Sequence, residues 1–359
     1  MALSFIVPAM IFTSCNKELE QIPYPAAPAT LTVGQFIATS PSYSIFRAAV
    51  EKAGLMPILS ASDNSLTVFA PNDIAMTNSG ITAAAVAAMP AATLKSLLQF
   101  HIIASNFPEA KIGTGFPNKQ LPSLLSLDPT NPYVRMNIFP SIRNSQGFVN
   151  NIPFKANDQI LQNGVIHSPT FVVSPPSQVI AQIIGADANL SLFAAAIARG
   201  DVGQTADLAK LGYLMQYAVT NMTVLAPTNA AFAGIGITSA AQINAMPIDQ
   251  VRGIVAYHIL ASNTSGSFTP DVRYYSVNFP TAASSFIKTL VNGSVAPHPG
   301  ILSQATFTGT AVTSLKLTGY GTVPAGGTPY SRTAANVVTA DKNAINGVVH
   351  IIDQVLMPQ

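Results

Sequence analysis

The side chains able to do acid–base, nucleophilic or metal chemistry are few and scattered. Five histidines, fifteen acids and one cysteine are spread over 359 residues. His101 follows Leu94, Leu97 and Leu98 at i, i+3, i+4, i+7, and His258 follows Val251, Ile254 and Val255 in the same way. That spacing puts each histidine on the apolar face of a helix. Such a histidine is expected to be a core residue bonded to the backbone, because buried polar groups need partners. His167 and His350 follow the pairs Asn163-Gly164 and Asn346-Gly347, with the same expectation. His298 stands alone in Ala296-Pro297-His298-Pro299-Gly300, which reads as a loop. No Gly-x-Ser-x-Gly elbow, His-Glu-x-x-His helix or phosphate-binding loop occurs, and no carboxylate pair is marked as a glycosidase dyad. The chain is read as non-catalytic, without cofactor or metal. An enzyme with an unrecognised site is the residual alternative.

The sole cysteine, Cys15, excludes an intrachain disulfide and a thiolate metal site. It follows the apolar run Ala2–Phe12 and the small pair Thr13-Ser14. This arrangement resembles a bacterial lipoprotein signal peptide ending in its lipobox. The resemblance implies cleavage after residue 14, acylation of Cys15 and anchoring by lipid rather than by a spanning helix. Asn16-Lys17-Glu18-Leu19-Glu20 resembles the surface-export signals of some bacterial lipoproteins. Pro23, Pro25 and Pro28 among alanines then favour an extended, semi-rigid tether over 15–30. The expected location is a bacterial cell envelope, at the outer membrane and facing outwards.

The elements that position the histidines occur twice. Thr67-Val68-Phe69-Ala70-Pro71-Asn72-Asp73 returns as Thr223-Val224-Leu225-Ala226-Pro227-Thr228-Asn229. Phe100-His101-Ile102-Ile103-Ala104-Ser105-Asn106 returns as Tyr257-His258-Ile259-Leu260-Ala261-Ser262-Asn263, and Asn163–His167 returns as Asn346–His350. The three offsets are 156, 157 and 183 residues, so the second copy carries 26 more between its two histidines. A period this long exceeds the 20–50 residues usual for a solenoid unit. Each copy is long enough to close its own core. The boundaries read as 31–176 and 177–359, divided at Ser174-Pro175-Pro176-Ser177.

Within each copy, helices are expected first, then a strand stopped by Pro71 or Pro227, then the histidine helix, then strands. Asn72 or Asp73 is expected to cap the helix that follows. The Asn-Gly pairs read as tight turns launching the last strand. This order gives an α+β fold. Gly319–Thr333, rich in Gly and Pro, reads as an exposed loop in the insertion of the second copy.

The three motifs resemble those of the fasciclin domain family. Thr223–Phe232 and Asn346–Pro358 are close to its first and last signatures, and Tyr257-His258 is similar to its middle pair. The first copy departs at Asn72, Asp73 and Met76, and after His167. The resemblance implies two tandem domains, each a β-wedge with a helical layer, and a role in adhesion or matrix association. It also implies partner contacts at Tyr257-His258 and at Asn157, Asp158 and Ile160.

Bulk composition narrows the partner. The chain is 48% hydrophobic and only 9% charged, against about 25% charged in typical domains. A net charge of +2 gives little attraction for nucleic acid. The expected partner is a cell-surface, matrix or envelope protein, or a polysaccharide. A glycan-binding accessory protein is the alternative, with Tyr274, Tyr275, Tyr320 and Tyr330 as candidate stacking rings.

Overall fold

The computed structural model describes residues 30–128, 130–218, 220–264, 267–282, 285–293, 300–321 and 332–358. Cys15 with its leader, His298 and Tyr330 lie outside them, as does most of the loop expected at Gly319–Thr333. Two domains follow one another, each a helical layer on a mixed sheet.

The opening helices form where expected. Val33–Thr39 is capped by Thr32, Ser40-Pro41 breaks the run, and Ser44–Lys52 resumes it. Their counterparts are Ile180–Ala186 and Ser191–Gly200, with Phe46 and Phe193 fully buried at matching places. The strands Leu66–Phe69 and Met222–Pro227 are buried at every position, as expected for a strand covered on both faces.

The capping expectation divides between two helices. Asn72 and Thr228 each accept from the backbone N–H three residues on and cap their own helix. Asp73 instead accepts from Ser44 Oγ (2.7 Å) and Ile45 N (2.8 Å), and Asn229 accepts from Leu192 N (3.0 Å). The last motif residue therefore holds the start of the second opening helix, Ser44–Lys52 or Ser191–Gly200, far back in the chain.

Each sheet turns on one parallel pair. Leu66–Phe69 lies parallel to Gly164–Pro169, with Thr67 opposite Val165. Met222–Pro227 lies parallel to Gly347–Ile352, with Thr223 opposite Val348. In the first domain, strands Ile102–Ile103, Leu121–Asp128 and Asn131–Ile138 extend the sheet on one side. Ile152–Leu161, Gln146–Val149 and Pro140–Arg143 extend it on the other. In the second, Ala335–Ala344, Ala311–Thr318, Ile301–Thr308 and Ser285–Ile287 follow Gly347–Ile352 in space.

The Asn-Gly pairs are more than turns. Asn163 and Asn346 are buried, and their side-chain amides join segments distant in sequence. Asn163 Oδ1 accepts from Val33 N at 2.8 Å, while Nδ2 donates to Leu59 O and Ala61 O at 2.9 and 2.8 Å. Asn346 Oδ1 accepts from Ile180 N at 2.9 Å, and Nδ2 donates to Met215 O (2.9 Å) and Tyr217 O (3.2 Å). The glycines are needed for close approach. A Cβ on Gly164 would stand 2.1 Å from Leu66 O, and one on Gly347 would stand 2.1 Å from Met222 O. No side chain fits between strands that close.

Asn346→Ala is expected to cost the second domain about 3–5 kcal/mol, because each buried group left unpaired costs about 1–3 kcal/mol. Asn346→Asp keeps the acceptor but loses the donors, so it recovers only part. Urea unfolding of both variants measures this, and a loss below about 1 kcal/mol for Asn346→Ala would show that the amide holds nothing together.

Candidate functional site

The four motif histidines are all buried, and their rings bond to the backbone in the same pattern twice. His101 Nδ1 lies 2.8 Å from Leu97 O, and its Nε2 accepts from Val173 N at 3.0 Å. His258 repeats this with Ile254 O (2.8 Å) and Leu356 N (3.0 Å). A ring that donates at Nδ1 and accepts at Nε2 is neutral. Burial lowers the pKa of both to about 4, against a smaller opposing effect of the carbonyl bond. These rings hold the tail of each domain against its helix, and neither nitrogen is available for acid–base work.

The first and third motifs meet on one loop. Thr67 Oγ1 donates to Ser105 O (2.6 Å) and accepts from Phe107 N (2.8 Å), while His167 Nε2 sits 2.9 Å from Phe107 O. In the second domain Thr223 Oγ1 donates to Val272 O (2.6 Å) and accepts from Tyr274 N (2.8 Å). His350 Nε2 sits 2.8 Å from Tyr274 O. Both backbone groups of Phe107 and of Tyr274 are thus fixed. The second histidine lies 16 residues before its clamped residue and the first only 6, so ten of the 26 extra residues fall here. They contain the small hairpin of strands Ser262–Thr264 and Ser267–Thr269.

Fixing Tyr274 aims its ring at the other domain. Tyr274 stacks on Phe116 with centroids 3.9 Å apart. Arg273 is buried with its guanidinium 4.4 Å from the centre of the Phe139 ring. It also donates to Asn221 Oδ1 (2.7 Å) and Ile345 O (3.1 Å). A desolvated cation over an aromatic face is worth about 2 kcal/mol. Phe139 and Phe148 of the first domain form one apolar cluster with Tyr275, Val277 and Val348 of the second. Phe116 packs on the core of the second domain and Ile345 on that of the first. Around these, Asn118 Nδ2 donates to Asn278 Oδ1 (2.7 Å), Asn278 Nδ2 to Ser141 Oγ (3.3 Å) and Asn151 Nδ2 to Asp341 Oδ2 (3.2 Å). Burial raises the pKa of both Tyr274 and Tyr275 above the ordinary phenol value.

The residues proposed as partner contacts therefore separate. Tyr257, His258 and Tyr275 are fully buried, and Tyr274 is turned into the seam, so their rings do not offer a face to a sugar or partner. Tyr257 is a core strut: its hydroxyl donates to Gly300 O (3.1 Å) and accepts from Tyr320 N (2.8 Å). Tyr320 is half-buried beside it. Asn157, Asp158 and Ile160 lie on strand Ile152–Leu161, where Ile160 is 61% exposed. The seam residues Phe116, Phe139 and Arg273 escaped the sequence reading. The one local signal was a buried-type aromatic pair set directly beside an arginine.

The family model of the fasciclin domain matches residues 41–168 and 188–358. The chain belongs to the fasciclin domain family. Both fasciclin domains are α+β units with the sheet and helical layer expected from their motifs. Among solved structures the chain is similar to a FAS1 domain pair from the insect cell adhesion molecule fasciclin I. The identity is 14%, 87% of this chain and 95% of that one are covered, and the TM-score is 0.37. No curated protein sequence matches the chain.

Two outcomes follow. Between pH 6.5 and 4 the unfolded chain protonates at His101 and His258 while the folded fasciclin domains do not. Stability therefore falls as pH drops through that window and levels off below it, by about 3 kcal/mol per histidine over the full range. Urea midpoints from pH 7 to 4 and histidine ring NMR titrations check this, and rings titrating near 6.5 would contradict it. The seam is checked by spin labels at exposed Tyr133 and Leu208, each changed to cysteine in a soluble form starting after the sole native cysteine. The distance distribution is expected to be narrow and to broaden in Phe139→Ala; equal widths would show that the seam does not couple the domains.

Proposed function

We propose that this protein is a non-catalytic adhesion protein of the bacterial cell envelope, whose two fasciclin domains work as one stiff unit on a lipid tether at Cys15. Fasciclin domains occur in adhesion and extracellular proteins. The observation that carries the reading is the seam. Two aromatic contacts, a buried arginine over a phenylalanine ring and a set of amide bonds join the domains. A joined pair holds the outer loops of both domains at one spacing, which favours simultaneous contact with a surface that repeats. The motif histidines support the non-catalytic reading, because the backbone occupies both ring nitrogens of His101 and of His258.

The lipid tether rests on the leader and on Cys15. The Pro/Ala-rich stretch that follows would hold the domains away from the bilayer. Among the described residues no single helix is long and apolar enough to cross a membrane. The partner is a protein or polysaccharide of a neighbouring surface, matrix or envelope. Tyr274 and Tyr275 pack inside the molecule, which favours a protein partner over stacked sugars.

Cells producing Cys15→Ala are expected to release the protein from the membrane fraction or to accumulate the uncleaved form, with fatty-acid labelling lost. Labelling that persists would refute the anchor. Deleting the gene is expected to reduce attachment or cell aggregation, restored by the wild-type chain and not by Cys15→Ala. Unchanged attachment across several surfaces would sink the adhesion reading.

A further inference from the structure

The sheet of the second domain is split beside the seam. Strands Ala311–Thr318 and Ala335–Ala344 are neighbours, yet they pair only at Lys316↔Asn336 and Leu317↔Ala335. Past these pairs the two strands part. Ala311–Leu315 then bond on one side only, to Ile301–Thr308. Their backbone groups directed the other way meet no strand among the described residues. Between the lips lies a cavity of about 480 Å³, within the range of ligand pockets. Val312, Ser314, Val337 and Ala340 line it from the second domain, and Pro153 and Phe171 from the first.

Two irregularities keep the lips apart. Thr306 pairs with Ser314 and Phe307 with Val312, which leaves Thr313 as the extra residue of a bulge. On the opposite lip Asp341 takes a left-handed backbone, φ +59°, where pairing to Gly347–Ile352 shifts register. Bulges and such strained residues terminate pairing and recur where a structure binds something. The strain is held in place from outside the sheet. Asp341 accepts from Ser276 N at 2.7 Å and, across the seam, from Asn151 Nδ2 at 3.2 Å.

The chemistry of the lips selects an occupant. Residues 311–315 and 337–340 carry no charge and no proline. Proteins usually guard an open strand edge with lysine, proline or a cover, because it recruits other strands. This edge carries a bulge at Thr313 and faces Asp341, but residues 311–315 hold no lysine or proline, and the edge is recessed between two domains, where a single segment has better access than a whole sheet. A row of alternating N–H and C=O groups at strand spacing is matched by another backbone, not by sugar hydroxyls. We propose that the split accepts an extended peptide segment of a partner protein, added as a strand along Ala311–Leu315 with Phe171 and Pro153 against its side chains. This deepens the adhesion reading by naming the partner class and so rests on it. Purified protein tests it separately from cell attachment.

The experiment selects a displayed library of random twelve-residue peptides on the soluble two-domain protein alone, and the selected peptides are then measured on Ala340→Arg. Ala340 is exposed and outside the registered ladder pairs, so the arginine fills the cleft without disturbing the core. Selected peptides are expected to lose at least tenfold in affinity for Ala340→Arg and for Thr313→Pro, with circular dichroism unchanged. N-methylation along a selected peptide is expected to abolish binding at every second position only. Loss at every position or at none would overturn the strand, as would a library yielding only peptides indifferent to Ala340→Arg. A neutral glycan array with binding that Ala340→Arg removes would overturn the peptide class in favour of sugar.

Discussion

Two parallel strands from opposite ends of a domain cannot be closed by a tight turn, so something else must hold the ends together. In each fasciclin domain that task falls to one buried carboxamide. Asn163 and Asn346 meet an amide at the first helix and carbonyls at the end of the last helix before the first strand, while their own backbone carbonyls accept from Leu66 N and Met222 N. Helical layer and sheet are thereby tied at a single point. The glycine that follows lets the two strands approach within contact of a bare backbone. Bonds of this kind are worth little net but cost much when one partner is removed, which makes the amide a condition of the fold more than a source of its stability.

A second polar layer is built on this frame. The threonine of the first motif and the histidine of the third grip opposite sides of one loop residue, Phe107 in one domain and Tyr274 in the other. In the first domain that gripped ring remains with its own fold, 5.6 Å from Lys119 Nζ. In the second it becomes half of a stacked pair across the seam. The same internal geometry thus serves two ends, and the difference lies in which residue occupies the gripped position and what lies opposite. Hydrogen bonds that are internal to a domain decide how the two domains meet.

Where residues near in sequence are near in space, the sequence was readable. The helices Ala91–Phe100 and Ile248–Tyr257 follow from apolar spacing, the break at Ser40-Pro41 follows from proline, and the buried histidines follow from helical phase. Asn-Gly looked like a turn because its local chemistry is that of a turn; the partners of Asn163 and Asn346 lie 104 and 166 residues away. Asp73 looked like a cap for the next helix and caps one 28 residues earlier. Tyr274 and Tyr275 looked like surface rings because the surface that buries them belongs to another domain, and no periodicity within one segment records that. The split in the second sheet is equally hidden, since both of its strands read as ordinary strands and only their pairing shows the gap.

The buried side chains at the two ends of each domain have a mechanical meaning. The chain enters the first domain at Val33, whose N–H is held by Asn163, and leaves at Val173, whose N–H is held by His101. It enters the second at Ile180, whose N–H is held by Asn346, and passes Leu356, whose N–H is held by His258. A pull applied to the ends of either domain would therefore meet those latches before it could fray a helix. The residues that mark the chain as a repeat are also the points at which tension would be carried through it.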